Sequence, residues 1–289
     1  YQTPDEPWDV FVSPTRTYSP NQVTNIHKDV PRPLMGRTEL TSWTSTEGFE
    51  IEGLLTYPVD YQEGQCVHLI LNVHGGPGGV FSQGFTGAPS IYMLQYFAQK
   101  GFAILRPNPR GSTGYGKDFR YANFQDWGFG DFRDLMAGVD HVIAMGVADA
   151  DQLLLMGWSY GGYMSLMCLA QAPEIFSLAV AGAPVTSWDG YDTHYTERYM
   201  STPEQNPSGY CNSNVMNHVS SIRGKLLLIH GLLDENVHFR HTARLVNALI
   251  AEDIDYDLIV FPNERHMPRG EADRVYMERK ITAFFRENL

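Results

Sequence analysis

Residues 153–162 read LLLMGWSYGG. Leu153, Leu154, Leu155 and Met156 form a short apolar run of the kind a buried strand shows, and a helical pattern follows from Tyr163 to Ala170. Between them, Gly157-Trp158-Ser159-Tyr160-Gly161 is a G-x-S-x-G. A serine between two glycines at a strand-to-helix corner is a nucleophile elbow: the glycines let the chain turn without side-chain clash, and the turn holds the hydroxyl out of the sheet. A bare G-x-S-x-G is a weak signal; the strand before it and the helix after it give it weight.

Working outward, strands are expected at Thr38–Thr44, Glu50–Tyr57, Val67–Val73, Phe102–Leu105, Leu178–Ala181, Lys225–Ile229 and Tyr256–Phe261. Helices fall between them, at Ser90–Lys100, through Phe132, Leu135, Met136, Val139, Val142 and Ile143, through Leu245, Val246, Leu249 and Ile250, and at the end to about Phe285. Asp131 and Asp134 sit in the first turn of the second helix, where carboxylates favour a helix N-terminus. An insertion runs from Val185 to Asn217. Strands alternating with helices predict an α/β domain, a mostly parallel sheet with helices on both faces, and with the elbow an α/β-hydrolase fold. Residues 1–37 stand apart from residues 38–289, as a hairpin of strands DVFVS and NQVTNI followed by a linker at Pro31-Arg-Pro33.

The 289 residues are 43% hydrophobic, enough for one large core. A net charge of −12 excludes a nucleic-acid footprint and reads as a plain acidic surface. Cys66, Cys168 and Cys211 are odd in number and far apart, so they make neither a disulfide framework nor a spaced metal site. No stretch approaches the ~18 apolar residues of a membrane span, and the opening hexapeptide YQTPDE is no signal peptide. That balance favours the cytoplasm, while the lack of an initial Met suggests a trimmed piece.

A serine hydroxyl is a poor nucleophile at neutral pH; a histidine must take its proton and a carboxylate must orient that histidine. In this fold the chain order is serine, acid, histidine. His266, between the last strand and the last helix, stands where the base belongs. Asp234, in the turn after strand Lys225–Ile229, is the acid; Glu235 is its rival, and Asp253, Asp255 and Asp257 read as a solvated turn. His194 and His218 precede the last two strands and lack a suitably placed acid before them, His230 precedes the acid, and His238 and His241 lie beside it. The run His74-Gly75-Gly76-Pro77-Gly78-Gly79, just past a buried strand, offers uncovered backbone N–H groups for one half of an oxyanion hole, and the N–H of Tyr160 is expected to supply the other.

NPRGSTGYG, GWSYGGY, APVTSWDGYDTHYTERYM, HGLLDENVHF and PNERH occur in that order, and together they resemble the catalytic domain of the prolyl oligopeptidase family, in particular its dipeptidyl peptidase IV group. The resemblance implies a triad of Ser159, Asp234 and His266, with no metal or cofactor. It also implies a small apolar pocket for proline walled by Val185, Trp188, Tyr191, Tyr195 and Val237, with Asn236 beside the substrate carbonyl. Without it, that aromatic group reads as ordinary core packing. Short peptides are the implied substrates, and members often dimerise. Two features depart from the dipeptidyl pattern. That group has a tyrosine, an oxyanion donor, where this chain has His74; HGGPGG resembles the acylaminoacyl peptidase branch, in which the Gly76 N–H serves and the His74 ring could also donate. An N-terminal β-propeller is absent, and the hairpin resembles its end. The expected activity is cleavage of short peptides after proline or a small apolar residue. The alternatives are an acylaminoacyl peptidase or carboxylesterase on the same triad, and a non-catalytic binding domain.

Overall fold

In the computed structural model, which describes residues 1–88 and 90–289, the chain builds one eight-stranded sheet. After the short strands β1 (Phe11–Val12) and β2 (Asn21–Gln22) come β3 (Thr38–Thr44), β4 (Glu50–Thr56), β5 (Val67–Val73), α1 (Leu94–Gln99) and β6 (Ala103–Asn108). Then follow α2 (Lys117–Arg120), α3 (Gly130–Ala144), β7 (Ala148–Trp158), α4 (Tyr160–Gln171) and β8 (Phe176–Gly182). The chain closes with α5 (Thr193–Met200), α6 (Pro207–Asn212), β9 (Lys225–Gly231), α7 (Arg240–Ala251), β10 (Tyr256–Phe261) and α8 (Glu271–Asn288).

The strand order is β10-β9-β8-β7-β5-β6-β4-β3. Parallel pairing links β6, β5, β7, β8, β9 and β10, and β4 and β3 add antiparallel. This is the α/β-hydrolase fold expected from the alternation of strands and helices. One apolar cluster fills the face under α3, α4 and α7; the second fills the face under α1 and α8. Helix α4 is buried from Tyr160 to Ala170, as its apolar residues on every side require.

The order reverses between β5 and β7. A chain leaving β5 and a chain leaving β7 therefore diverge to opposite sides and open a crevice at the carboxyl ends of those strands. The loop starting at His74 leaves β5 there, and Ser159 leaves β7 there.

The N-terminal strands are shorter than DVFVS and NQVTNI suggest. Their ladder spans two residue pairs, Phe11 with Gln22 and Val12 with Asn21, and ends on one further bond from the Val23 N–H to Val10 O at 2.9 Å; Trp8, Val10, Val12 and Val23 all face solvent, so nothing buries a longer ladder. The segment before them is tied to the main body where Pro4 O accepts the Thr86 N–H at 2.9 Å. Among the described residues no helix is long and apolar enough to cross a membrane.

Candidate active site

The elbow is built by backbone crowding that only glycine permits. A Cβ on Gly157 would land on the carbonyl of Gly161, one on Gly161 would land on the carbonyl of Val73, and one on Gly162 would stand 2.5 Å from the carbonyl of Gly182. Helix α4 can therefore start hard against β5 and β8. Between these glycines Ser159 takes φ 61° and ψ −118°, a conformation that is costly for a residue with a Cβ and that persists where surrounding structure enforces it. Its N–H is fixed by Gly182 O at 2.8 Å, and its hydroxyl does not cap the helix it opens. The Ser159 carbonyl accepts from Tyr163, so the Tyr160 N–H lies ahead of the helical ladder, among the uncommitted donors of a helix N-terminus.

Asp234 lies in the turn after β9 and His266 in the turn after β10. His266 Nδ1 is 2.7 Å from Asp234 Oδ2. The other carboxylate oxygen accepts the N–H groups of Asn236 and Val237, each at 2.9 Å. A third group completes the cage. The fully buried His230 places Nε2 at 3.2 Å from Asp234 Oδ2 and at 2.8 Å from Val237 O. Both are acceptors, so Nε2 carries the proton, and Nδ1 accepts from the Thr242 hydroxyl at 2.7 Å. Burial alone would push the Asp234 carboxyl up; the hydrogen bonds from His230, His266 and the backbone outweigh it and hold the group far below the usual carboxylate range. Glu235, the alternative acid, is exposed and pairs with Arg265 at 2.8 Å.

The imidazole of His266 is held from behind as well. Trp158, immediately before the serine, donates its Nε1–H to His266 O at 2.6 Å. One indole thus ties the nucleophile elbow to the histidine loop.

The loop His74–Gly79 is tightly wound. A Cβ on Gly76, at φ +122°, would collide with the backbone nitrogen of Gly78, and Gly79 N donates to Gly75 O at 3.2 Å. Gly75 packs beside the serine: a Cβ there would be 3.6 Å from Ser159 Cβ. The ring of His74 is turned away from any donor role. Its Nδ1 lies 2.8 Å from Gly75 O, which can only accept, and its Nε2 lies 3.0 Å from Ser112 Oγ. Burial drives its pKa down to about 4, so the ring is neutral with its one proton spent on Gly75. With the ring so engaged, what the loop has to offer is backbone, with Gly76 as the expected donor. Ser112 itself stands on the loop after β6, which Arg110 locks to α3 through Asp134, at 2.9 Å from Nε and 2.7 Å from Nη2.

The residues expected to wall an apolar pocket come together. Trp188 lies 5.8 Å from Tyr191, Tyr191 lies 6.2 Å from Tyr195, and Tyr191 donates to Asn236 Oδ1 at 2.5 Å. Val185 and Val237 are buried beside them. The aromatic group is larger than that. Trp127 sits 4.4 Å from Trp188, and Tyr160, Tyr163 and Tyr199 extend the cluster. Trp188 is only 2% exposed, so it acts as the floor beneath the others. Tyr160 donates its hydroxyl to Asp131, whose carboxyl is pushed up to about 7 by burial.

Residues 89–289 match the prolyl oligopeptidase family. The chain belongs to that family. It is 38% identical over 264 residues to human dipeptidyl peptidase 8, covering 90% of this chain and 29% of that protein. Human prolyl endopeptidase FAP is 33% identical over 213 residues, covering 72% of this chain and 28% of that protein. The solved structure of Porphyromonas gingivalis dipeptidyl peptidase 4 superposes with a TM-score of 0.82 at 28% identity, over 88% of this chain and 36% of that one. The chain thus spans about 30% of the length of the curated relatives it matches.

Within this family member, three parts of the site escaped the sequence reading. His230 looked like a strand-end residue placed too early for the base, and its role as a second partner of the acid shows only once β9 and α7 are in place. Asp131 and Asp134 looked like helix-dipole residues but are buried and committed, to Tyr160 and to Arg110. Trp158 carried a signal that could have been read: an indole beside a nucleophile, buried at a strand end, needs an acceptor for its N–H.

Proposed function

We propose that the protein is a serine peptidase that hydrolyses short peptides after proline or a small apolar residue, through an acyl-enzyme. The observation that carries the reading is the saturated carboxylate of Asp234 bonded at 2.7 Å to a histidine whose backbone is tied to the residue preceding Ser159. The Ser159 hydroxyl attacks the scissile carbonyl while His266 Nε2 takes its proton. Asp234, held ionised, fixes the Nδ1–H tautomer and stabilises the imidazolium. The oxygen that becomes negative faces the N–H of Tyr160 and of the Gly75–Gly76 loop. His266 then returns its proton to the leaving amine, and water, deprotonated by the same base, releases the acyl group. The residue before the scissile bond enters the pocket of Val185, Tyr191, Tyr195 and Val237 over Trp188, with Asn236 beside its carbonyl.

Dipeptide release from a free N-terminus is supported by the dipeptidyl peptidases among the relatives. The glycine run at His74–Gly79 supports a second reading, an acylaminoacyl peptidase or carboxylesterase on the same triad. One experiment separates them: kcat/KM for an X-Pro anilide with free and with acetylated amine, against a Ser159→Ala blank. Preference for the free amine supports the dipeptidyl reading, and preference for the acetylated form supports the second. Turnover of both by Ser159→Ala at the native rate would refute the triad.

A further inference from the structure

Two arginines stand four residues apart at the end of β6, and the fold treats them oppositely. Arg110 is neutralised by Asp134 and Glu47. Arg106 is equally buried, at 6% exposure, yet forms no ion pair among the described residues, and its Nε and Nη2 have no hydrogen-bond partner. Its nearest compensation is the ring of Phe81, 5.3 Å from the guanidinium carbon. Burial lowers its pKa only to about 10, so it is a cation at neutral pH. A buried, unpaired guanidinium is costly, and an anion is the group that relieves the cost.

Arg106 lines a cavity of about 330 Å³ together with Asn72, His74, Gly75, Tyr92 and Trp158. Among the described residues on this wall, Tyr92 donates to Gly157 O at 3.0 Å, Trp158 to His266 O and the His74 ring is engaged with Gly75 O, while the Asn72 amide has no side-chain hydrogen bond and stands available beside Arg106. The guanidinium is the one uncommitted charge facing the space. The cavity also has a defined place relative to the serine. Trp158 belongs to the apolar cluster under α1 and α8, whereas Tyr160 and the pocket residues Val185, Trp188 and Val237 belong to the cluster on the opposite face of the sheet. Ser159 lies between them. With the acyl side of a peptide in the aromatic pocket, as proposed above, the opposite face, with Gly75, Trp158 and the Arg106 cavity, is left for the leaving side. His266, which protonates the leaving amine, is fastened to that same Trp158.

We propose that Arg106 binds the free C-terminal carboxylate of a short leaving fragment, which makes short peptides with an unblocked C-terminus the preferred substrates. This rests on the peptidase reading above and adds to it a recognition element on the leaving side. The test is kcat/KM of the protein on a Gly-Pro-Ala tripeptide and a Gly-Pro-Ala-Ala tetrapeptide, each as the free acid and as the C-terminal amide, before and after Arg106→Met and Arg106→Gln.

The expected result is an acid-to-amide ratio of about ten or more for at least one length, a factor ordinary for one charge-assisted contact, falling to about one in both variants. Equal rates on acid and amide in the native protein overturn the inference without needing a variant to fold, and they leave the peptidase reading standing because the amides are still cut. A ratio that survives both substitutions also overturns it. Cleavage of none of the four peptides by native protein would sink the dipeptidyl reading, and the carboxylate site with it.

Discussion

His230 Nε2 lies 3.2 Å from Asp234 Oδ2, the same oxygen that accepts from His266 Nδ1. Two imidazoles therefore share one carboxylate, and only the exposed one can reach a substrate. Replacing His230 by Ala leaves Asp234 three hydrogen bonds and a stronger claim on His266. KM should change little, because His230 is fully buried and reaches no substrate. Turnover should fall by about tenfold, and stability by about 1–3 kcal/mol, because the Thr242 hydroxyl and the Val237 carbonyl lose a buried partner. Turnover unchanged beside that stability loss would make His230 a packing residue only.

Trp158→Phe tests the other fastening of the histidine. Phenylalanine fills most of the indole volume but cannot donate to His266 O. A modest stability loss of about 1 kcal/mol is expected from one buried hydrogen bond, with a drop in kcat of about tenfold on ester and peptide alike, since the base is common to both. The check is a thermal melt alongside steady-state kinetics; unchanged kcat would show that Asp234 alone positions the imidazole.

Much of this architecture was legible because the strands of the sheet interior carry mostly apolar runs, and most of the helices between them show an apolar face or are apolar throughout. Lys225–Ile229 and Val67–Val73 could hardly be anything but buried strands. Boundaries slipped where capping is weak: the first helix, expected from Ser90, begins at Leu94, because Met93 offers no capping side chain and its N–H is taken instead by Glu278 from the far end of the chain. The residues that could not be found, His230, Asp131 and Arg106, share one physical feature. Each is a polar side chain inside the core whose partner, or lack of one, depends on elements distant in sequence, and no local pattern encodes that.

Glu278 supplies a prediction about pH. Burial pushes its carboxyl up to about 7, one oxygen accepts the Met93 N–H at 2.7 Å, and the other has no partner. An unfolded glutamate titrates near 4.3. Between those values the folded protein keeps a proton that the unfolded chain releases, so stability falls as pH rises from about 4 to about 7 and stays reduced above that. Glu278→Gln keeps the acceptor for Met93 and cannot ionise. It should leave stability at pH 4 nearly unchanged and raise it at pH 8 by about 1–3 kcal/mol. Denaturant melts at the two pH values decide it, and equal shifts at both would point to packing rather than ionisation.

The last prediction separates the two jobs that glycine does around Ser159. At Gly161 a Cβ would strike the Val73 carbonyl, so Gly161→Ala must push α4 off β5; a loss of more than about 3 kcal/mol is expected, with activity gone because the elbow moves. At Gly75 the same atom would meet only ordinary contacts, 3.4 Å from Trp158 O and 3.6 Å from Ser159 Cβ. Gly75→Ala should therefore melt within about 1 kcal/mol of the native protein. Its methyl group nonetheless stands where a tetrahedral adduct on Ser159 must form. Activity toward peptides should fall by about a hundredfold or more while the fold is kept, a contrast that equilibrium melts and kcat/KM read directly. If Gly75→Ala kept full activity, the loop at His74–Gly79 would not face the reacting carbonyl, and the oxyanion assignment to its backbone would have to be withdrawn.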